Sequence, residues 1–209
     1  NPAATAIPLT ISVLTGATGS VSGSMSFSAA TINTVNQLLA ADAGSVTFNS
    51  GSVVKQLKFS TGNLFGTTGT AGIVIFTSGS VFDQISDVSG NGGSNPFGLG
   101  QPASKVTFQS GSLFKYEIVS GTPAFSGRNY ADLELNTPLG TSSPSGGSAV
   151  TMGNLTVTAG TLNFGSTANP GHSIKGNILV ATGATLNFNT AVAGVTINFH
   201  HPALNVFIA

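Results

Sequence analysis

One short pattern recurs along the chain and restricts its fold more than any other feature of the sequence. Its three copies are Val46–Val53 (VTFNSGSV), Val74–Val81 (VIFTSGSV) and Val106–Leu113 (VTFQSGSL). The equivalent residues Phe48, Phe76 and Phe108 are 28 and 32 residues apart. Near-identical units at such a period are typical of supersecondary units stacked into a solenoid.

A second pattern follows, made of two segments that each begin with glycine and continue with alternating apolar residues. Its copies are Gly153–Val157 with Gly160–Phe164, and Gly176–Val180 with Gly183–Phe188. Leu162 and Leu186 are 24 residues apart. Apolar residues alternate within each unit, as in a half-buried strand, and the Gly-Ser and Gly-Thr steps supply turns.

These repeats predict an all-β, right-handed parallel β-solenoid. Short strands cannot bury their apolar faces alone, so equivalent strands should stack in parallel, and parallel crossovers are overwhelmingly right-handed. An antiparallel β-sandwich is the alternative, although it does not explain the period. We expect an N-terminal cap or extension strand in residues 1–43, solenoid repeats in 44–199 and a C-terminal strand or cap in 200–209.

Three segments depart from the repeats. Thr34–Ala41 has helical spacing with Asn33 as a candidate N-cap, and an irregular strand fits it equally well. The Gly- and Asn-rich residues 86–102 and the Pro-, Gly- and Ser-rich residues 137–148 are predicted loops. The second loop marks the boundary between the two repeat patterns.

Composition excludes several classes of protein. Only 6% of the residues are charged, against roughly 25% in ordinary soluble domains, so a charged helical surface is excluded. The 14 phenylalanines indicate a core rather than a disordered chain. A formal net charge of +0 argues against nucleic acid as a partner, and zero cysteines exclude disulfides and thiolate chemistry.

Two segments resemble a known group of proteins. They are Phe108–Phe114 followed by Phe125–Asn136, and Gly153–Asn189 with its HSIKGN stretch at His172–Asn177. Residues 44–190 resemble repeat-rich secreted proteins of the Bacteroidetes and Chlorobi group. The resemblance implies a parallel β-helix that is exported across the outer membrane, typically in longer chains that end with a sorting domain.

The location of the protein is predicted from its apolar runs and its first residues. The longest wholly apolar stretches, such as Ile73–Phe76 and Val206–Ala209, fall far short of the roughly 20 residues of a membrane helix. The opening Asn1–Ala4 fits a mature, exported product. We therefore expect an extracellular or cell-surface protein without a membrane span.

The acidic pair Asp132 and Glu134 is the main candidate for catalysis. Two residues apart on a predicted strand, they share one face, and Arg128 lies nearby in sequence. Paired carboxylates cleave glycosidic bonds in many enzymes, and clustering with Asp83 and Asp87 would favour such an enzyme. With six acidic residues in the whole chain, a solvated and partly ion-paired face is the preferred interpretation.

The sequence contains two sets of candidate metal ligands. Asp83, Asp87, Asn91 and Asn95 recur every four residues and offer the oxygen ligands that Ca²⁺ prefers, but they match no calcium-loop pattern. His172, His200 and His201 do not form a plausible Zn²⁺ triad, because adjacent strand residues face opposite ways. The prediction is that the chain has no metal, no cofactor and no catalytic residues.

Five phenylalanines occupy equivalent repeat positions, and we expect them to stack inside the solenoid; they are Phe48, Phe76, Phe108, Phe164 and Phe188. An exposed aromatic ladder that binds glycans is the alternative. The predicted function is a non-catalytic extracellular structural or adhesive protein that self-associates through its terminal strands, with surface glycans as a further candidate partner. A polysaccharide-degrading enzyme on a β-helix scaffold is the alternative function.

Overall fold

The computed structural model describes residues 7–29, 34–57, 60, 62–85, 95–118, 123–142, 148–164 and 171–188, and the backbone of 197–199 and 206–208. No helix in this part of the chain is long and apolar enough to cross a membrane. The strands, in chain order, are β1 (Thr10–Val13), β2 (Gly19–Val21), β3 (Ser24–Phe27), β4 (Gln37–Ala40), β5 (Val46–Phe48), β6 (Val53–Gln56), β7 (Val74–Phe76), β8 (Val81–Gln84), β9 (Val106–Phe108), β10 (Leu113–Tyr116), β11 (Asn129–Ser142), β12 (Thr151–Asn163), β13 (His172–Ile174), β14 (Ile178–Val180), β15 (Thr185–Asn187), β16 (Ile197–Phe199) and β17 (Val206–Ile208).

Neighbouring strands come from successive repeats. β2, β5, β7 and β9 form a four-stranded sheet in that order, and an eleven-stranded sheet runs from β3 through β6, β8, β10, β11 and β12 to β13 and β16. Every named pair of strands is parallel. This confirms the predicted parallel solenoid and excludes the antiparallel sandwich.

Each turn of the chain around the solenoid is called a rung below. Rung 1 holds β1 to β3, rung 2 holds β4 to β6, rung 3 holds β7 and β8, and rung 4 holds β9 and β10. Rung 5 is β11, rung 6 is β12, rung 7 holds β13 to β15, and rung 8 holds β16 and β17. The first rung therefore uses residues of the 1–43 segment and pairs in register with the first full repeat.

The predicted phenylalanine column is present. Phe48, Phe76 and Phe108 are in register on β5, β7 and β9, with ring centroids 4.7 and 5.0 Å apart. Phe164 and Phe188 stack at 6.0 Å, but Phe188 is 40% exposed, so the expectation that it is buried was wrong. Phe188 follows β15, which pairs only with β12 among the described strands, so no described strand covers its far side.

The Ser-Gly-Ser segments form stacked turns. In the first, the Ser52 amide donates to the Asn49 carbonyl at 3.0 Å, and Gly51 has a φ of 82°, as the third position of a type II turn requires. The Gly51 amide also donates to the carbonyl of Gly79 in the next rung at 3.0 Å. The repeated glycine thus serves both the turn and the stacking.

The solenoid narrows between rungs 4 and 5. The Gln101 amide donates to the Gly127 carbonyl at 2.7 Å, and Leu113 pairs with Asp132. Between these two contacts rung 4 has residues 102–112, including β9, whereas rung 5 has only residues 128–131. Four residues cannot form another side of the solenoid, so the four-stranded sheet ends at β9.

The observed strands decide two of the predictions for segments that do not follow the repeats. In Thr34–Ala41 the structure has β4, so the strand interpretation is correct and the helix was wrong. The predicted loop at 137–148 was wrong up to Ser142, because β11 continues through it. Pro138 is tolerated there because the pairing with β12 is interrupted by register shifts between Leu135 and Thr141.

Two glycines test the tightness of the stacking. Gly51 and Gly160 have φ values of 82° and 80°, so alanine costs each about 1–2 kcal/mol of backbone strain. A Cβ at Gly51 meets nothing within 4 Å, whereas at Gly160 it overlaps the Thr137 carbonyl oxygen of rung 5. We expect Gly160→Ala to lower the free energy of unfolding by about 2 kcal/mol more than Gly51→Ala, measured by urea denaturation. Equal losses would contradict this packing.

Candidate functional site

A column of alternating charge crosses the outer face of the eleven-stranded sheet. Lys55 on β6, Asp83 on β8, Lys115 on β10 and Glu134 on β11 are in direct register. Adjacent strands lie about 4.8 Å apart, so each charge has an opposite charge as its neighbour. We call these four residues the charge column.

Most carboxylates beside the charge column have hydrogen-bond partners. Glu117 accepts from Lys115 Nζ at 2.6 Å and from Asn136 Nδ2 at 2.8 Å. Glu134 accepts from Thr158 Oγ1 at 2.8 Å. Burial alone would raise the pKa of Glu117, but the bonds from Lys115 and Asn136 outweigh it and lower that pKa; the same contact raises the pKa of Lys115.

Asp83 differs from the other acids of this face because it is buried. Its relative exposure is 7%, and its Oδ1 has no hydrogen-bond partner. Burial, with a smaller contribution from Glu117, raises its pKa to about 6, and Lys115 and Lys55 only partly oppose this. The protonation of Asp83 therefore changes in a mildly acidic range.

Asp132 belongs to a second polar column beside the first. Its Oδ1 accepts from the Asn154 backbone amide at 3.1 Å and from Asn154 Nδ2 at 2.7 Å. Asn154 Oδ1 in turn accepts from the Asn177 amide at 2.8 Å. Asp132 and Glu134 do share one face, as predicted from their spacing, and each is bonded to a residue of rung 6.

Arg128 does not join the acidic pair. It is 2% exposed, and its Nη atoms donate to the carbonyls of Phe97, Gly98 and Leu99. Although Arg128 is near the acidic pair in sequence, its guanidinium bonds to the carbonyls of a loop in rung 4. Lys55 and Lys115 supply the positive charges of the face instead.

Two candidate metal ligands, Asn95 and His172, form hydrogen bonds within the fold. Asp87, Asn91, His200 and His201 lie outside the described residues. Asn95 bonds within its own turn, to Gly98 and Phe97, and His172 Nδ1 accepts from the Val150 amide at 3.2 Å. Burial lowers the pKa of His172. Among the described residues no group of three His, Asp or Glu side chains is arranged to hold a metal ion.

The surface beside the two polar columns is shallow. A depression of about 470 Å³ on this face is lined by Asp132, Glu134, Asn154, Thr156 and their neighbours. It faces solvent as part of the sheet rather than as a cleft between two walls. Such a surface can bind an extended ligand, but it does not enclose a reacting group.

No protein-family model, curated protein or solved structure matches this chain. The function proposed below is therefore argued from the geometry of this site.

Lys55 and Lys115 were missed in the sequence, although a signal for them was present. Extending the repeat by three residues aligns Val53–Gln56 with Val81–Gln84 and Leu113–Tyr116, which places Lys55, Asp83 and Lys115 at one position. In a stacked solenoid, equivalent positions become neighbours. The alternating column was thus predictable up to rung 4.

The pKa of Asp83 predicts how stability varies with pH. Its ordinary value is 3.8 and its folded value about 6, so between these values the folded chain keeps a proton that the unfolded chain loses. Stability contributed by neutral Asp83 is complete below about pH 4 and is lost as the pH rises to about 6, up to about 3 kcal/mol. We expect Asp83→Asn to match wild type near pH 4 and to exceed it above pH 6 in urea denaturation.

Glu117→Gln is the control, because its effect on the free energy of unfolding should depend on pH in the opposite direction. The pKa of Glu117 is lowered, so its contribution is present at neutral pH and is lost as the pH falls. We therefore expect this variant to be less stable than wild type at pH 7 and to approach it in acid. A difference between Asp83→Asn and wild type that does not change with pH would contradict the assignment.

Proposed function

We propose that this chain is a non-catalytic structural or adhesive protein of a bacterial cell surface, displayed outside the cell. The supporting observation is that the charged side chains of the outer face bond mainly to one another and to neighbouring rungs. Glu117 joins Lys115 of its own rung to Asn136 of rung 5, and the bonds of Glu134 and Asp132 to rung 6 also link adjacent strands. These contacts stabilise a sheet and leave few groups for chemistry.

Composition and fold support the same role. A solenoid presents a long, regular surface, and here 6% charged residues combine with Ser- and Gly-rich turns. The resemblance to secreted repeat proteins of the Bacteroidetes and Chlorobi group favours display outside the cell. Such a chain serves as a spacer or a contact surface.

Self-association through the ends of the solenoid is part of this proposal. The first and last strands pair within their own chain, β1 with β4 and β17 with β14. β1, β2 and β3 nevertheless stand at the ends of their sheets among the described strands. A second copy that stacks on rung 1 would supply partners for these backbone groups.

A polysaccharide-cleaving enzyme is the second candidate, and Asp83 is the observation that favours it. A carboxyl group with a pKa of about 6 suits a general acid, and Glu134 lies two strands away, about 9.6 Å by strand spacing. This separation is close to that of inverting glycosidases. Against it, Lys115 stands between the two acids, and Asp83 is only 7% exposed.

A search for polysaccharide cleavage tests the main proposal. We expect wild type to release no reducing ends and no unsaturated products from a panel of plant, algal and bacterial polysaccharides. The variants Asp83→Asn and the double variant Asp132→Asn with Glu134→Gln should give the same baseline. Cleavage by wild type that either variant abolishes would establish the enzyme instead.

Light scattering tests self-association. Val21 is half-buried, pairs with Phe48 and ends the apolar column at rung 1, whereas Ser20 on the same strand is exposed. We expect wild type to form end-to-end assemblies at micromolar concentration, Val21→Lys to weaken them and Ser20→Lys to leave them unchanged. A wild-type chain that remains monomeric at this concentration would rule the assembly out.

A further inference from the structure

The narrowing of the solenoid leaves one side of β9 without a neighbouring strand. β9 bonds to β7, and no described strand pairs with its other edge. The free side faces rungs 5, 6 and 7, where the chain takes its shorter path. The surface is therefore lower beside β9, over rungs 5 to 7, and we call this change of level the step.

A depression of about 520 Å³ occupies the step. One wall is the end of β9 and its turn, with Phe108, Ser110 and Gly111, and the floor is formed by rungs 5 to 7, from Asn129 to Lys175. Small-molecule sites usually have volumes of about 300–1,000 Å³ and combine aromatic walls with a few polar groups. The depression at the step combines the aromatic residues Phe108 and Tyr130 with the polar residues Asn129, Asp132 and Lys175.

Phe108 supplies the aromatic wall because it is the last ring of its column. One face stacks on Phe76 at 5.0 Å, and no described strand continues the four-stranded sheet beyond β9. Tyr130 on β11 and Phe97 each contact the Phe108 ring in a T-shaped arrangement at 5.5 Å, and the ring remains partly buried. The part of the ring that stays exposed lines the depression.

The polar side chains that line the depression include one that is held in place by hydrogen bonds, and together they carry no net charge. Asp132 is held by Asn154 through Oδ1, and no described residue bonds to its Oδ2. Asn129 and Lys175 line the same depression and are exposed. One carboxylate and one ammonium together favour a neutral ligand that offers both hydroxyl donors and hydroxyl acceptors.

An added peptide strand fits this edge less well than a sugar does. Ser104 Oγ donates to the Val106 carbonyl at 3.1 Å and accepts from the Val106 amide at 3.3 Å, so both outward groups of Val106 are occupied. Only Phe108 at the end of β9 then remains to pair with a peptide. Strand addition depends on a row of main-chain bonds, and this edge does not offer one.

We propose that the depression beside β9 binds a neutral oligosaccharide of hexopyranose units. The apolar C–H face of one sugar packs against the exposed part of the Phe108 ring, and its hydroxyl groups bond to Asp132 Oδ2, Asn129 and Lys175. The proposal deepens the adhesive role proposed above and rests on it, since it names the ligand that the surface holds without cleaving.

The test is calorimetric titration of the full chain with cellohexaose, laminarihexaose, maltohexaose and mannohexaose. We expect saturable binding of at least one of them. Asp132→Asn should weaken it about tenfold, because a charged hydrogen bond is lost. Phe108→Leu keeps an apolar side chain in the core but removes the ring, and should also weaken binding. Unchanged thermal unfolding of each variant establishes that it is folded.

Two controls lie outside the depression. Phe188→Ala removes another partly exposed stacked ring, and Asp42→Asn removes a carboxylate of rung 2; both should bind as wild type does. Absence of saturable binding, or an affinity equal to that of wild type in both Asp132→Asn and Phe108→Leu, would overturn the proposal. Binding of an extended peptide without any oligosaccharide would also overturn it.

Mass spectrometry of the recovered sugar separates this proposal from the proposed function. Intact oligosaccharide with the expected variant effects supports both. Bound but cleaved oligosaccharide would overturn the non-catalytic role and leave the binding site standing. No binding together with no cleavage would overturn the binding site and leave the structural role standing.

Discussion

In-register parallel stacking of the rungs is the constraint on which the rest of this structure depends. Equivalent strands of successive rungs pair in register, so a residue type that recurs in the repeat becomes a column in space. The rings of Phe48, Phe76 and Phe108 stack for this reason, and so do the Ser-Gly-Ser turns. The backbone ladder and the interior columns stabilise the fold without disulfides or a charged surface.

The same constraint explains how a chain with few charges uses them. Lys55, Asp83, Lys115 and Glu134 fall on one line, and their signs alternate from strand to strand. Like charges at these positions would repel one another at the strand spacing of about 4.8 Å. Asp83 is less favourably placed than its neighbours because it is also buried, and this raises its pKa.

Two buried cationic side chains bond to backbone carbonyls and not to charges of opposite sign. Lys105 is 1% exposed, and its Nζ donates to the carbonyls of Gly69 and Thr70 at 2.5 and 2.7 Å. Arg128 does the same for a loop of rung 4. Both residues bond to loop carbonyls that lack strand partners, so they connect irregular segments to the regular rungs.

The sequence by itself determined the parallel solenoid, the phenylalanine column and the shared face of Asp132 and Glu134, because all three follow from repeat period and strand alternation. It also contained the alignment that brings Lys55, Asp83 and Lys115 together. Only the tertiary structure decided where Arg128 points, how deeply Asp83 is buried and where the solenoid narrows. These features depend on the path of the chain between repeats, where residues 128–131 take the place of 102–112, and no periodic pattern encodes that path.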